Sequence, residues 1–188
     1  FWLKSALDLL TRSLASDRRV LSDSATMSWD ATVEEWVCAE GYCCAGALAQ
    51  QEDGIFYAAA PTEGEAGWAI VCKEDYKEKI LQEDGETEKE MDIWEGAGLK
   101  HLCDTGKKPE WGLWLGGKKY NILQNRKIQV VDNEIDTFFC GKSKGGVVIC
   151  KTKSQIVCGF YDEEKGQTAG QANKCTTEFA SYLMDIGY

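Results

Sequence analysis

Val147-Val148-Ile149-Cys150-Lys151-Thr152-Lys153-Ser154-Gln155-Ile156-Val157-Cys158-Gly159-Phe160-Tyr161 decides the fold. Two apolar, β-branched runs, 147–151 and 155–161, stand three polar residues apart and read as neighbouring antiparallel strands. Upstream, 111–115, 119–124, 127–131 and 135–140 read as four more strands. Their connections are short and rich in Gly, Asn, Asp and Lys, which fits an antiparallel meander. Farther out, 43–49 and 55–60 form a strand pair around Gln51-Glu52-Asp53-Gly54, whose Asp-Gly suits a hairpin turn.

Helices flank this strand-rich middle. Ser28 caps one in which Trp29, Val33, Trp36 and Val37 follow helical spacing, with Asp30, Glu34 and Glu35 toward its N-terminal end and Gly41 as its stop. The last helix, over 168–186, puts Ala172, Cys175, Thr176, Phe179, Leu183 and Ile186 on one face. Residues 68–76 are weakly helical, and Ile93, Trp94, Ala97, Leu102 and Cys103 outline a short helix over 93–104. Between them, 77–81 and 87–93 flank Glu83-Asp84-Gly85-Glu86 as a protruding polar hairpin. The order is α+β: one sheet with the two terminal helices packed side by side on one face.

The chain has 188 residues, 21 Lys+Arg and 31 Asp+Glu, for a net charge of −10, with 44% apolar residues. One domain with one sizeable core suffices. Two prolines and 19 glycines exclude a collagen-like or Pro-rich chain. No apolar run approaches the roughly 20 residues of a membrane span. The charge argues against a nucleic-acid binder. Nine cysteines, odd in number, with Cys43-Cys44 adjacent and no C-x-x-C, make a poor disulfide framework. With no N-x-[ST] sequon either, they suit a reducing cytosol, where thiols pack as small hydrophobes. Residues 1–26 differ in texture and are set aside as an extension, either disordered or a translated stretch upstream of the start; a truncated targeting segment lacks its cleavage pattern.

No catalytic constellation survives inspection. His101 is the one histidine, so neither a His-based nucleophile nor a metal site has its partners. Gly141-Lys142-Ser143 lacks the phosphate loop's first glycine, since Asp136 stands there. Gly96-x-Gly98 lacks its third, where His101 stands. Glu34-Glu35 and Glu163-Glu164 read as solvated pairs. Charge, however, is segregated: 74–95 holds ten acidic and three basic residues, and 107–127 holds six basic and one acidic. Lys118, Lys119, Arg126, Lys127, Lys142, Lys144 and Lys174 could form one face that steers an acidic partner in a salt-sensitive way. Tyr182 and Tyr188 are hard to bury, and rings exposed between two helices make a groove for a polyproline II ligand.

Met27-Ser28-Trp29-Asp30, Trp114-Leu115-Gly116-Gly117-Lys118-Lys119-Tyr120, Tyr161-Asp162-Glu163-Glu164 and Ala180-Ser181-Tyr182-Leu183 through Gly187-Tyr188 together resemble profilin, in order, over 27–188. Gly41-Tyr42-Cys43-Cys44-Ala45-Gly46, the acidic loop with Glu63 and Glu65 before Trp68, and the hairpin inserted over about 76–95 resemble the apicomplexan branch. Residues 1–26 have no counterpart in that family. The resemblance implies the profilin fold: a central antiparallel sheet, terminal helices on one face, short helices on the other, and the acidic hairpin as an insertion.

It also implies an actin-monomer-binding protein and no enzyme, cofactor or metal. Family actin contacts map onto Lys119, Lys142, Gly170, Asn173, Lys174 and Glu178, with added contacts from the hairpin. Cys140 and Thr168 stand where animal relatives carry basic residues or histidine, which leaves affinity and nucleotide exchange open. The proline-rich groove maps onto Trp29, Tyr57, Tyr182, Leu183 and Tyr188. Thr32 replaces a further ring, a loss of about 1 kcal/mol that weakens binding of proline-rich formin segments without abolishing it. Phosphoinositide binding is a weak expectation at −10 net charge. A host innate immune receptor is a further implied partner, through the acidic loop and hairpin. The resemblance places a monomer in the cytoplasm, at the cytoskeleton. Rival readings are a small-ligand sensor domain, an enzyme with dispersed carboxylates, and an actin-sequestering factor without productive delivery.

Overall fold

Successive residues of a strand face opposite ways. The central runs are apolar at both parities, so the sheet they build carries a core on each face. A computed structural model describes residues 28–81 and 85–188. The extension over 1–26, Met27, and Gln82, Glu83 and Asp84 of the hairpin turn lie outside the described residues.

Helix α1 runs Trp29–Val33 and continues as a π turn, Glu34–Cys38. Strands β1 (Ala45–Gln50) and β2 (Phe56–Ala60) follow, then a 3-10 turn Glu63–Glu65 and α2 (Ala66–Val71). The hairpin is β3 (Tyr76–Leu81) and β4 (Glu88–Ile93), a separate two-stranded sheet, and α3 spans Glu95–Thr105. Next come β5 (Leu113–Leu115), β6 (Lys118–Val130), β7 (Asn133–Lys142), β8 (Gly145–Lys151), β9 (Gln155–Asp162) and α4 (Ala169–Asp185). Seven strands make one antiparallel sheet in the order β2-β1-β9-β8-β7-β6-β5.

Ala47, Ala49, Val147, Ile149, Ile156, Cys158 and Phe160 face one core with Val71 of α2 and Leu99 and Leu102 of α3. Their neighbours Leu48, Val148, Cys150, Val157 and Tyr161 face the other, with Val33 and Val37 of α1 and Ala172, Phe179 and Leu183 of α4. The terminal helices therefore share one face and the short helices the other. They sit close because Gly46 of β1 stands directly opposite Gly159 of β9. A Cβ on Gly46 would lie 2.8 Å from carbons of Val33 and Val37, and one on Gly159 would lie 2.0 Å from Thr176 Oγ1.

Three expectations need correction. Residues 119–124 and 127–131 are not two strands but one, β6: Asn125 and Arg126 stay extended opposite Phe138 and Thr137, and the irregularity is a bulge between Ile122 and Gln124. The turn falls instead at Val131, whose φ is 52°. The weak helix over 68–76 ends at Val71, and Tyr76 opens β3. Ile186 lies past the end of α4 and is 48% exposed rather than in the core.

Glu95, the first residue of α3, is an acidic side chain in a buried position. Its carboxylate accepts from Gly116 N at 2.8 Å, Gly117 N at 2.7 Å, Lys73 N at 3.1 Å and the Tyr76 hydroxyl at 3.1 Å. One side chain thus ties the base of the hairpin to the Gly116-Gly117 turn that leads into β6. All nine cysteines are free, and burial pushes the Cys140 and Cys150 thiols up to about 12.

Two variants test this packing. Glu95→Ala leaves four donors without their acceptor and is expected to lower unfolding free energy by about 3–5 kcal/mol, read from the urea midpoint. Gly159→Ala is expected to cost about 1–3 kcal/mol, and Thr176→Ala in the same chain to recover much of it by removing the atom its Cβ meets.

Candidate functional site

Ser28 accepts from Ala31 N at 3.3 Å and starts α1 so that Trp29 faces the chain's end. The Trp29 ring meets Tyr188 edge-on at 5.2 Å and Tyr57 of β2 at 6.4 Å. Seven residues along, Trp36 stacks on Tyr182 at 4.8 Å and on Phe179 at 5.7 Å. Rings therefore run along the seam between α1 and α4, with Tyr182 and Tyr188 each 37% exposed. Burial and the nearby Tyr188 push the Tyr57 phenol up to about 12, so it keeps its proton at neutral pH. Such a surface offers ring faces with O–H and indole N–H donors. Prolines, which have carbonyl acceptors and no N–H, suit it chemically.

Of the five residues expected here, Trp29, Tyr57, Tyr182 and Tyr188 come to this seam. Leu183 is fully buried and stands beneath the rings in the core, so it supports the seam and cannot touch a ligand. Thr32 is half-buried, its hydroxyl donating to Ser28 O at 3.4 Å. Trp36 was legible only as a core position; its i+7 relation to Trp29 was the signal for a shared helix face.

A second surface lies toward the start of α4. Thr168 caps that helix, accepting from Gln171 N at 3.3 Å, and Gly170 is exposed. Asn173 Oδ1 is buried with no hydrogen-bond partner among the described residues. Lys174 reaches over the Tyr42 ring at 5.9 Å, and with Glu178 it lines a cleft of about 230 Å³ that Glu35, Glu40 and Tyr42 also line. Tyr120 is buried in the core under the short helices, so its neighbour Lys119 takes the opposite face, the one that carries α1 and α4. Lys119 lies 5.9 Å from the Trp114 ring.

Lys142 does not join this group: it shares parity with Phe138 and Cys140, which face the other core, and its charge is felt by the Cys44 thiol there. The basic face is also less continuous than expected. Lys127 pairs with Glu134 and Lys144 with Glu164. Cys140 is buried and offers no side chain. Beside α4 the uncovered sheet instead carries Leu123, 68% exposed, and Arg126 stacked 4.7 Å from Phe139. Leu123 sits at the β6 bulge, which no sequence pattern announced.

The profilin family model matches residues 27–188. Profilins of Plasmodium berghei and Plasmodium falciparum are 31% identical over 165 residues, covering 84% of this chain and 94% and 95% of theirs. Among solved structures, Acanthamoeba castellanii profilin IB aligns with a TM-score of 0.55 at 18% identity, and Schizosaccharomyces pombe profilin with 0.55 at 20%. Each alignment covers 86% of this chain and all of the other. With its sheet order, paired terminal helices and near-complete family match, the chain belongs to the profilin family, of apicomplexan type.

Proposed function

We propose that the chain caps the barbed face of an actin monomer through Lys119, Gly170, Asn173, Lys174 and Glu178, while the aromatic seam holds proline-rich segments of a formin-type elongator. Family membership carries the coarser statement: actin-monomer binding and regulation of actin assembly without catalysis. The observation that supports the finer reading is that the two surfaces are centred at opposite ends of α4: Gly170 and Tyr182 lie twelve residues apart, or about 18 Å along the helix. They adjoin midway, where Glu178 and Trp36 line one cleft. In this reading both partners are held at once, side by side.

The capped monomer is blocked from pointed-end addition and spontaneous nucleation but remains deliverable to a growing barbed end. Leu123, with Phe139 behind it, supports an apolar contact beside the start of α4. Lys142, on the other face, belongs to this contact only if actin also wraps the sheet's end. The acidic hairpin, whose base is tied through Glu95 to the turn before Lys118, adds a further edge. Weak phosphoinositide binding and a host innate immune receptor at the acidic loop remain secondary partners of this reading. The chain acts as a monomer in the cytoplasm, at the cytoskeleton; no helix among the described residues is long and apolar enough to cross a membrane.

Pyrene-actin assembly with the full chain tests the proposal. Spontaneous nucleation should fall with dose while formin-seeded barbed ends continue to grow; arrest of both would mean sequestration. Lys119→Glu combined with Lys174→Glu should weaken monomer binding at least tenfold, and unchanged binding would place the actin surface elsewhere. Tyr188→Ala should weaken poly-L-proline binding about fivefold to tenfold, as loss of one ring worth about 1 kcal/mol or more implies. Tryptophan fluorescence titration reads this directly, since Trp29 lies against Tyr188.

A further inference from the structure

Cys43, in the segment between α1 and β1, and Cys175, on α4, are 132 positions apart in the chain, yet their sulfurs lie 3.5 Å apart. The contact sits in the slot left by Gly159, where a Cβ would come within 3.1 Å of Cys43 Sγ. Both residues are nearly closed to solvent, at 3% and 4% exposure, but Cys175 lines the cleft beside Lys174 and Tyr42. A small oxidant therefore has a path to Cys175 before Cys43. The electronic asymmetry runs the same way. The hydrogen bond with Cys43 holds the Cys175 thiol below its ordinary range, while the same bond and burial push Cys43 up. A thiol held low is the better nucleophile toward peroxide.

We propose that Cys43 and Cys175 are a redox pair that closes into a disulfide under hydrogen peroxide and thereby resets the first half of α4. In the first step the Cys175 sulfur attacks peroxide: an S–O bond forms, the O–O bond breaks and water leaves, giving a sulfenic acid. Next the Cys43 sulfur attacks Cys175: the S–S bond forms, the S–O bond breaks, and the Cys43 proton leaves with the oxygen as a second water. Two thiols lose two electrons, and one peroxide gains them. Bonding draws the sulfurs from 3.5 Å to about 2.05 Å. That pulls the turn bearing Lys174 and Glu178 toward Tyr42. The consequence for actin rests on the function proposed above; formation of the bond does not.

The test uses the full chain, reduced and then treated with hydrogen peroxide. Intact mass should fall by two hydrogens, two of the nine thiols should disappear, and non-reduced peptide mapping should join Cys43 to Cys175. No loss of thiols, or a bond from either residue to Cys38 or Cys44, overturns the proposal. Oxidised chain should bind actin monomers at least threefold more weakly, with recovery in dithiothreitol and no such change in Cys43→Ser. If the mapped disulfide forms and actin binding is unchanged, the regulatory half is wrong. If the reduced chain itself fails to bind actin, the function proposed above falls, and the mass and mapping data still judge the pair.

Discussion

Two glycines facing each other across β1 and β9 let both terminal helices reach the sheet. Gly46 receives Val33 and Val37 of α1, and Gly159 receives Thr176 of α4. A side chain at either position would lift one helix and separate it from the other. The aromatic seam exists only because the two helices lie together, since its rings come from α1, α4, the chain end and β2. The same slot brings Cys43 against Cys175. Backbone proximity, rather than any polar network, is the constraint from which both the groove and the thiol pair follow.

On the other face the organising element is Glu95. A carboxylate buried this deeply must be satisfied by donors, and it takes them from two separate pieces of chain, Lys73 to Tyr76 and Gly116-Gly117. Removing the charge from water is costly, but two of the four donors are backbone amides of a tight glycine turn that would otherwise lack partners. The hairpin is thereby coupled to the strand that carries Lys119. This gives the hairpin a mechanical connection to the sheet face beside α4.

Much of the fold was legible because strand parity and helical spacing are local properties. Val147 to Tyr161 spelled out β8 and β9, and Ala172, Cys175, Thr176, Phe179 and Leu183 marked the buried face of α4 correctly. What failed depended on the partner strand or on an element's end. Asn125 and Arg126 look like a turn until Phe138 and Thr137 are set opposite them. Lys142 falls by parity on the face opposite Lys119 once β7 is seen to run from Asn133 without a break. Leu183, which the profilin resemblance puts in the groove, lies on the core side of α4, as its helical spacing with Phe179 and Ala172 implies. Glu95 looked like one more acid of a polar hairpin, since nothing in its vicinity names Gly116 and Gly117 as its donors.

The charge reading changes most. In sequence, lysines from 118 to 174 suggest a basic face that attracts an acidic partner over distance. In the fold, Lys127 and Lys144 are matched by glutamates, Lys174 stands in a cleft with Glu35, Glu40 and Glu178, and the whole chain carries −10. Long-range steering by such a surface is weak, and at physiological salt it is screened within about 8 Å. Affinity must then come from groups that lose water on contact. Leu123 and Arg126, both exposed, and the half-buried Phe139 under the guanidinium are of that kind: apolar or planar, and next to the edge of α4. An interface built this way has an apolar centre that supplies most of the energy and a charged rim that sets register. Cys140 and Thr168 fit the same logic. One is buried in the core and the other caps α4, so neither adds charge to the surface.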